Sequence, residues 1–239
     1  MALEAVTFDH WNTLVVEKGE LPGRRLEAWL GIFEDAGFTV EREELSAVFK
    51  DAWDRYVTAW TANEQYHAAE AAEQCLEGLG FAVPDDLKPA LIDAFTHVGR
   101  GIDFDLTEGV AECLTDLKDA GVRLGIICDV GFTPSNVLRE HLIRRGLLPL
   151  FDHWSFSDEV GCYKPAPEIF EHALDGLGGV EPSRAAHVGD LRRTDIAGAL
   201  AMGMVAVRYT GVFDDDSSPD PEADHVVGDM RALPGVLGF

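Results

Sequence analysis

The feature that most limits the fold of this chain is an interruption. A strand-like run, EAVTF at residues 4–8, is followed by a long stretch, 18–104, with no convincing strand. That stretch reads as four amphipathic helices at about 22–36, 42–62, 66–79 and 85–99. Within 42–62, Leu45, Val48, Phe49, Trp53, Tyr56, Val57 and Trp60 recur at steps of three and four, the spacing of one apolar helix face. Gly37, Gly80 and Pro84 punctuate the helix ends. Beyond the interruption the texture changes. Apolar runs at 122–128, 153–156, 185–188, 204–208 and 225–227 alternate with helical patterns at 108–120, 134–145, 166–178 and 194–202. Such alternation implies βαβ units, right-handed crossovers and a parallel sheet. The expected fold is therefore α/β. A Rossmann-like parallel sheet core is built from residues 1–17 and 105–239, and an all-helical domain, 18–104, is inserted after the first strand.

Composition narrows the partners. The 239 residues carry 43 acidic and 19 basic side chains, a formal charge of −24. Phosphate backbones and anionic membrane surfaces are repelled by such a chain, so neither nucleic acid nor membrane is an expected partner. An anionic small molecule needs a local cation to hold it, either a metal ion or a placed lysine. Cys75, Cys113, Cys128 and Cys162 form no CxxC pair and no zinc spacing, and they read as free thiols of a reducing compartment. No signal-peptide pattern and no membrane-length apolar run is present, and the expected location is cytoplasmic. The stretch DDDSSPDPEAD, 214–224, reads as a polar loop. Oligomeric state is left open.

In open parallel sheets, ligands gather at the carboxyl ends of the strands. Asp9 follows the first strand, Cys128 and Asp129 the second, and Asp190 and Asp195 lie in VGDLRRTD after a later one. Lys164 lies in GCYKPAP. Carboxylates with one lysine suit nucleophilic attack by a carboxylate beside a hard divalent cation such as Mg²⁺. Backbone N–H groups after the second strand suit phosphate oxygens.

Four segments occur in order: FDHWNTL, IICDVG, GCYKPAPEIF and HVGDLRRTDIAGA. With the helical insert after the first strand, they make the chain resemble the haloacid dehalogenase superfamily of hydrolases with a helical cap. The resemblance implies Asp9 as nucleophile and Lys164 as the charge that holds it. It implies a Mg²⁺ site of Asp9, the main-chain carbonyl of Trp11, Asp190, and Asp195 as ligand or orienting group. Cys128, Asp129 and Trp11 are the candidates for contact with substrate or phosphate. The implied activity is a Mg²⁺-dependent phosphatase of a small phosphorylated metabolite, working through an aspartyl intermediate.

Two positions depart from the family pattern. Phosphatases of the family usually carry a second Asp two residues after the nucleophile, where this chain has Trp11. An indole cannot serve as a general acid or base near neutral pH. His10, Asp129 and His67 are the candidate replacements. The rival readings are carbon–halogen hydrolysis, whose branch also lacks that second Asp, and a binding protein with a weakened site. Cys128 and Asp129 stand where Ser or Thr and then Asn are common, and a protonated Asp129 would act as a donor. Other residues have plainer readings. His187 reads as a core histidine, and Arg192 and Arg193 as surface charges or partners of nearby carboxylates. Arg55, Trp60 and Tyr66 read as packing or surface. Trp11 is open between core packing and the floor of an apolar pocket.

Overall fold

The structure, a computed structural model, describes residues 2–16, 18–102, 104–217 and 220–239. Residue 17, where the first expected core segment ends, lies outside these ranges. So do residue 103 of the expected insert and residues 218 and 219 of the acidic stretch. In chain order the strands and helices are β1 Ala5–Phe8, β2 Val15–Val16, α1 Glu20–Asp35, α2 Arg42–Ala62, α3 Ala68–Gly78 and α4 Lys88–His97. Next come β3 Asp105–Leu106, α5 Val110–Asp119, β4 Arg123–Cys128, α6 Ser135–Arg144, β5 His153–Phe156 and α7 Ser157–Val160. The chain continues through α8 Pro167–Gly176, β6 Ala185–Gly189, α9 Ala197–Met202, β7 Val205–Tyr209, β8 His225–Val227 and α10 Leu233–Leu237. Two compact units result. A sheet unit comprises Met1–Glu17, Phe104–Asp129 and Leu142–Phe239, and a helical unit comprises Lys18–Asp103 with Val130–His141.

In the sheet unit six parallel strands run in the order β5-β4-β1-β6-β7-β8. The chain builds outward from β1 on one side, then returns to build on the other. This places the reversal of strand order, where α/β sheets bind ligands, beside β1. All four residues of β1 are buried, as are five of the six of β4. Apolar runs without alternation fit strands covered on both faces. One of the covering layers includes Ile169, Phe170 and Leu174 of α8, packed with Ile127, Ile196 and Ala206. A separate antiparallel pair joins β2 to β3, with Val15 opposite Leu106. Strands of two residues are too short to show a period, so the pair carries no sequence signal.

The 214–224 stretch is more than a polar loop. Arg208 pairs with Asp214 and with Glu222, the latter at 2.9 Å. Glu222 also accepts from Arg192 at 2.6 Å. The Asp215 carboxylate accepts the Arg192 main-chain N–H at 2.6 Å. Of the two readings for Arg192, a partner for nearby carboxylates is the one observed.

The helical unit is organised on Trp29. Its indole is fully buried, and its N–H donates to the Leu91 carbonyl at 2.8 Å. Phe49 and Phe95 stand against the ring at centroid distances of 5.0 and 6.0 Å. In α2 the buried line is Leu45, Val48, Ala52 and Tyr56. Trp53 and Val57, expected on the same face, are exposed at 51% and 38%. At about 100° per residue, those two positions lie roughly 80° and 120° round the helix from Leu45, on the flank of the stripe. Arg25 of α1 is buried in this unit. Its guanidinium donates to the carbonyls of Phe95 at 2.9 Å and Phe132 at 2.8 Å and to the Thr133 hydroxyl at 3.2 Å. It also lies over the Phe95 and Phe132 rings, 5.2 and 5.7 Å from their centroids.

Candidate active site

Three neighbouring strands of the sheet end in acidic residues. Asp9 follows β1, Asp129 follows β4 and Asp190 follows β6, with β1 in the middle. The Asp9 main-chain N–H continues the ladder by donating to the Val188 carbonyl at 2.8 Å, so the carboxylate leaves from an ordered backbone. Lys164 enters from the turn between α7 and α8, ahead of Pro167, whose fixed φ suits the first position of a helix.

Lys164 is buried, 1% exposed, and its ammonium has three acceptors. They are Asp9 Oδ1 at 2.6 Å, Asp195 Oδ1 at 2.6 Å and the Ile127 carbonyl at 3.0 Å. An ammonium has three N–H donors, and here each has an acceptor. Two carboxylates so close hold the lysine well above its usual pKa, against the opposing effect of burial. Asp129 acts on the same turn, its Oδ1 accepting the main-chain N–H of Lys164 at 2.8 Å.

Asp195 folds back across Gly189. Its Oδ1 faces Lys164 and also His187 Nε2 at 3.1 Å, and its Oδ2 accepts the Leu191 N–H at 3.0 Å. Burial opposes ionisation, yet Lys164 and His187 hold this carboxyl below the usual range. A wide π-type turn, Arg192–Ile196, carries it, and such turns recur at functional sites. A Cβ on Gly189 would overlap the Asp195 carboxylate carbon and come within 2.6 Å of Oδ1, so only glycine admits this return.

The other two carboxyls behave oppositely. Burial, reinforced by Asp195, pushes Asp9 up to about 7, although Lys164 opposes the shift. Burial, then Asp9 and Asp195, push Asp190 up to about 8. One lysine does not offset this crowding of negative charge. A hard cation would, and Mg²⁺ takes oxygen ligands from as few as one or two carboxylates. Asp9 and Asp190 thus fit such an ion. Among the described residues, no three His, Cys, Asp or Glu side chains come together as a metal-holding group.

The remaining sequence candidates have these positions. Trp11 is half-buried with its indole edge-to-face on Phe104 at 5.2 Å. Cys128 is fully enclosed, its S–H directed at the Asp129 carbonyl at 3.5 Å, and burial pushes the thiol well above its usual pKa. His10 is enclosed beside the Trp11 ring, and His67 is exposed on the helical unit. Two residues of this cluster had no functional reading in the sequence. His187 binds Asp195, and Thr7 binds His187 Nδ1 at 2.9 Å. The signal that could find them is register: Thr7 and His187 lie opposite each other on β1 and β6.

No helix among the described residues is long and apolar enough to cross a membrane. A family model for haloacid dehalogenase-like hydrolases matches residues 3–203. A glyceraldehyde 3-phosphate phosphatase of Methanothermobacter thermautotrophicus is 31% identical over 231 residues, 94% of this chain and 91% of that protein. An (S)-2-haloacid dehalogenase of a Pseudomonas species is 28% identical over 82% of this chain and 83% of its own. Among solved structures, the HAD-hydrolase YfnB of Bacillus subtilis, crystallised with bound magnesium, shares the fold. Its TM-score is 0.69, with 16% identity and full coverage of both chains. The match over most of the sequence and the common fold make this chain an enzyme of the haloacid dehalogenase-like hydrolase family.

Proposed function

We propose that the protein is a Mg²⁺-dependent phosphatase of a small phosphorylated metabolite, with Asp9 as the nucleophile. The observation that carries this reading is the occupation of Lys164. Its ammonium binds Asp9 Oδ1 and leaves Oδ2 as the oxygen it does not hold. That oxygen is the attacking atom. It forms a bond to phosphorus as the ester oxygen departs, and water then cleaves the aspartyl phosphate. Lys164 favours the ionised form of Asp9 and aims it, and with no spare N–H it does so without binding the phosphoryl group itself. Asp9, Asp190 and the Trp11 main-chain carbonyl would hold the ion, which would offset the negative charge shared by nucleophile and substrate. Asp195 serves as the orienting group, since Lys164, His187 and Leu191 already engage its oxygens. The enclosed Cys128 lines the site from behind, and Asp129 fixes the lysine turn. Substrate oxygens fall to the backbone after β4.

Support for the substrate class comes from the 31% identical relative, which is a phosphatase of a three-carbon phosphorylated aldehyde. Trp11 supplies no acid, so esters with good leaving groups turn over faster than alkyl phosphates of similar size. The four free cysteines support a reducing, cytoplasmic location. The test is release of inorganic phosphate from glyceraldehyde 3-phosphate and p-nitrophenyl phosphate. Activity should require Mg²⁺, stop with chelator and vanish in Asp9→Asn.

A second reading, carbon–halogen hydrolysis by the same Asp9, is favoured by the indole at position 11 and by the dehalogenase relative. Halide released from an (S)-2-haloacid without metal, with no phosphate release, would replace the first reading.

A further inference from the structure

The turn that carries Asp195 opens without a cap of its own. Leu191 stands at its N-cap position, and a leucine side chain cannot accept a hydrogen bond. The first N–H groups of a helix have no partner within it, so their acceptors must come from elsewhere. Two carboxylates supply them. Asp195, inside the turn, reaches back and accepts the Leu191 N–H with Oδ2 at 3.0 Å. Asp215, which lies 23 residues beyond Arg192, accepts the Arg192 N–H with Oδ2 at 2.6 Å. A capping box satisfies two such donors from residues close in sequence. Here one of the two acceptors is brought from a different connection of the sheet.

Asp215 is itself held in place. It is buried, and its Oδ1 accepts the Ser217 N–H at 2.9 Å. Its neighbour Asp214 pairs with Arg208 of β7. Glu222 joins Arg208 at 2.9 Å and the Arg192 side chain at 2.6 Å. The Asp224 carboxylate accepts the Ala206 N–H of β7 at 2.9 Å. The connection from β7 to β8 is thus fastened to β7, and it grips Arg192 by main chain and side chain alike.

Arg192 lies between Asp190 and Asp195 in the chain. We infer that Asp215 is a positioning residue: its carboxylate caps the 191–196 turn from outside, which keeps Asp195 on Lys164 and the ammonium aimed at Asp9. A turn that loses its cap frays from its first N–H groups, and the Leu191 N–H that holds Asp195 Oδ2 is one of them. The effect on turnover rests on the proposed nucleophile, whereas the effect on the turn does not.

Asp215→Ala removes the acceptor, and Asp215→Asn keeps one oxygen for the Arg192 N–H. Amide hydrogen exchange, measured without substrate or metal, reads the turn. In Asp215→Ala the Leu191 and Arg192 amides should exchange about 3- to 30-fold faster, beyond any change at Val6 and Phe8 of β1. The kcat should fall about 10-fold with KM little changed, and recover in part in Asp215→Asn. Asp214→Asn, which breaks a pair with Arg208 and leaves the Asp215 cap in place, should keep native exchange at the turn and native kcat. The kcat comparison uses whichever reaction the native protein catalyses, phosphate release or halide release, since both start from Asp9. Unchanged turn amides in Asp215→Ala, a loosened turn with native kcat, or an equal loss of kcat in Asp214→Asn would each overturn the inference. The exchange rates need no turnover, so they separate failure of the cap from failure of the phosphatase reading.

Discussion

Each of the two units buries a cation, and the two are held differently. In the sheet unit, Lys164 binds two carboxylates and a carbonyl. In the helical unit, Arg25 binds two carbonyls and a hydroxyl and lies over two phenyl rings. Two of the three Lys164 partners ionise, whereas the carbonyls, hydroxyl and rings that Arg25 meets do not. A carbonyl or ring face fixes a charge and remains inert. A carboxylate held by a cation keeps a lone pair that can attack. On the proposed reading, the same physical need, satisfying a buried charge, serves chemistry in one place and packing in the other.

The largest test of this contrast is Lys164→Met. It leaves Asp9 and Asp195 buried without their counter-charge, and loss of one partner from such a set costs about 3–5 kcal/mol. Denaturant unfolding should show a drop of that size, with turnover lost. Arg25→Met removes donors to neutral acceptors, each hydrogen bond from a charged group contributing about 1.5–3 kcal/mol. The three bonds together make its stability loss comparable, about 4 kcal/mol or more, but the folded variant should keep its turnover. Loss of turnover in folded Arg25→Met would dissolve the distinction between the two cations.

Gly189→Ala sharpens the comparison from the backbone side. The added methyl must displace Asp195, and overpacking of this kind costs about 1–3 kcal/mol. Turnover should fall with it, because Asp195 then releases Lys164. Native kcat in this variant would show that the carboxylate's position is not needed.

The smallest effect is at the surface. Arg208 lowers Glu222 to about 2, so the pair stabilises above the ordinary carboxylate pKa. As pH falls from about 5 towards 2, the unfolded chain takes up its proton first and that stability is lost. Glu222→Gln should flatten the pH dependence of unfolding in that window by less than about 1 kcal/mol, since the carboxylate is 44% exposed.

The sequence made the sheet legible because its strands are fully buried apolar runs between helical patterns. Asp9, Asp129, Lys164 and Asp190 were legible because strand ends and short motifs are local. Thr7 and His187 were not. They lie 180 residues apart, and only strand pairing joins them. On α2, Trp53 and Val57 satisfied the period but fell on the flank, because periodicity gives a direction and not the width of the buried stripe. The 214–224 stretch hid its role for a similar reason. Its acidic residues are partners of Arg192 and Arg208, which the chain supplies from other turns.

The saturation of Lys164 has one more effect. A free amine beside a bound aldehyde condenses with it to an imine, a reaction that needs the nitrogen lone pair. Here the nitrogen stays protonated, with all three hydrogens directed at protein oxygens. An amine held in this way does not trap an aldehyde as a dead-end adduct.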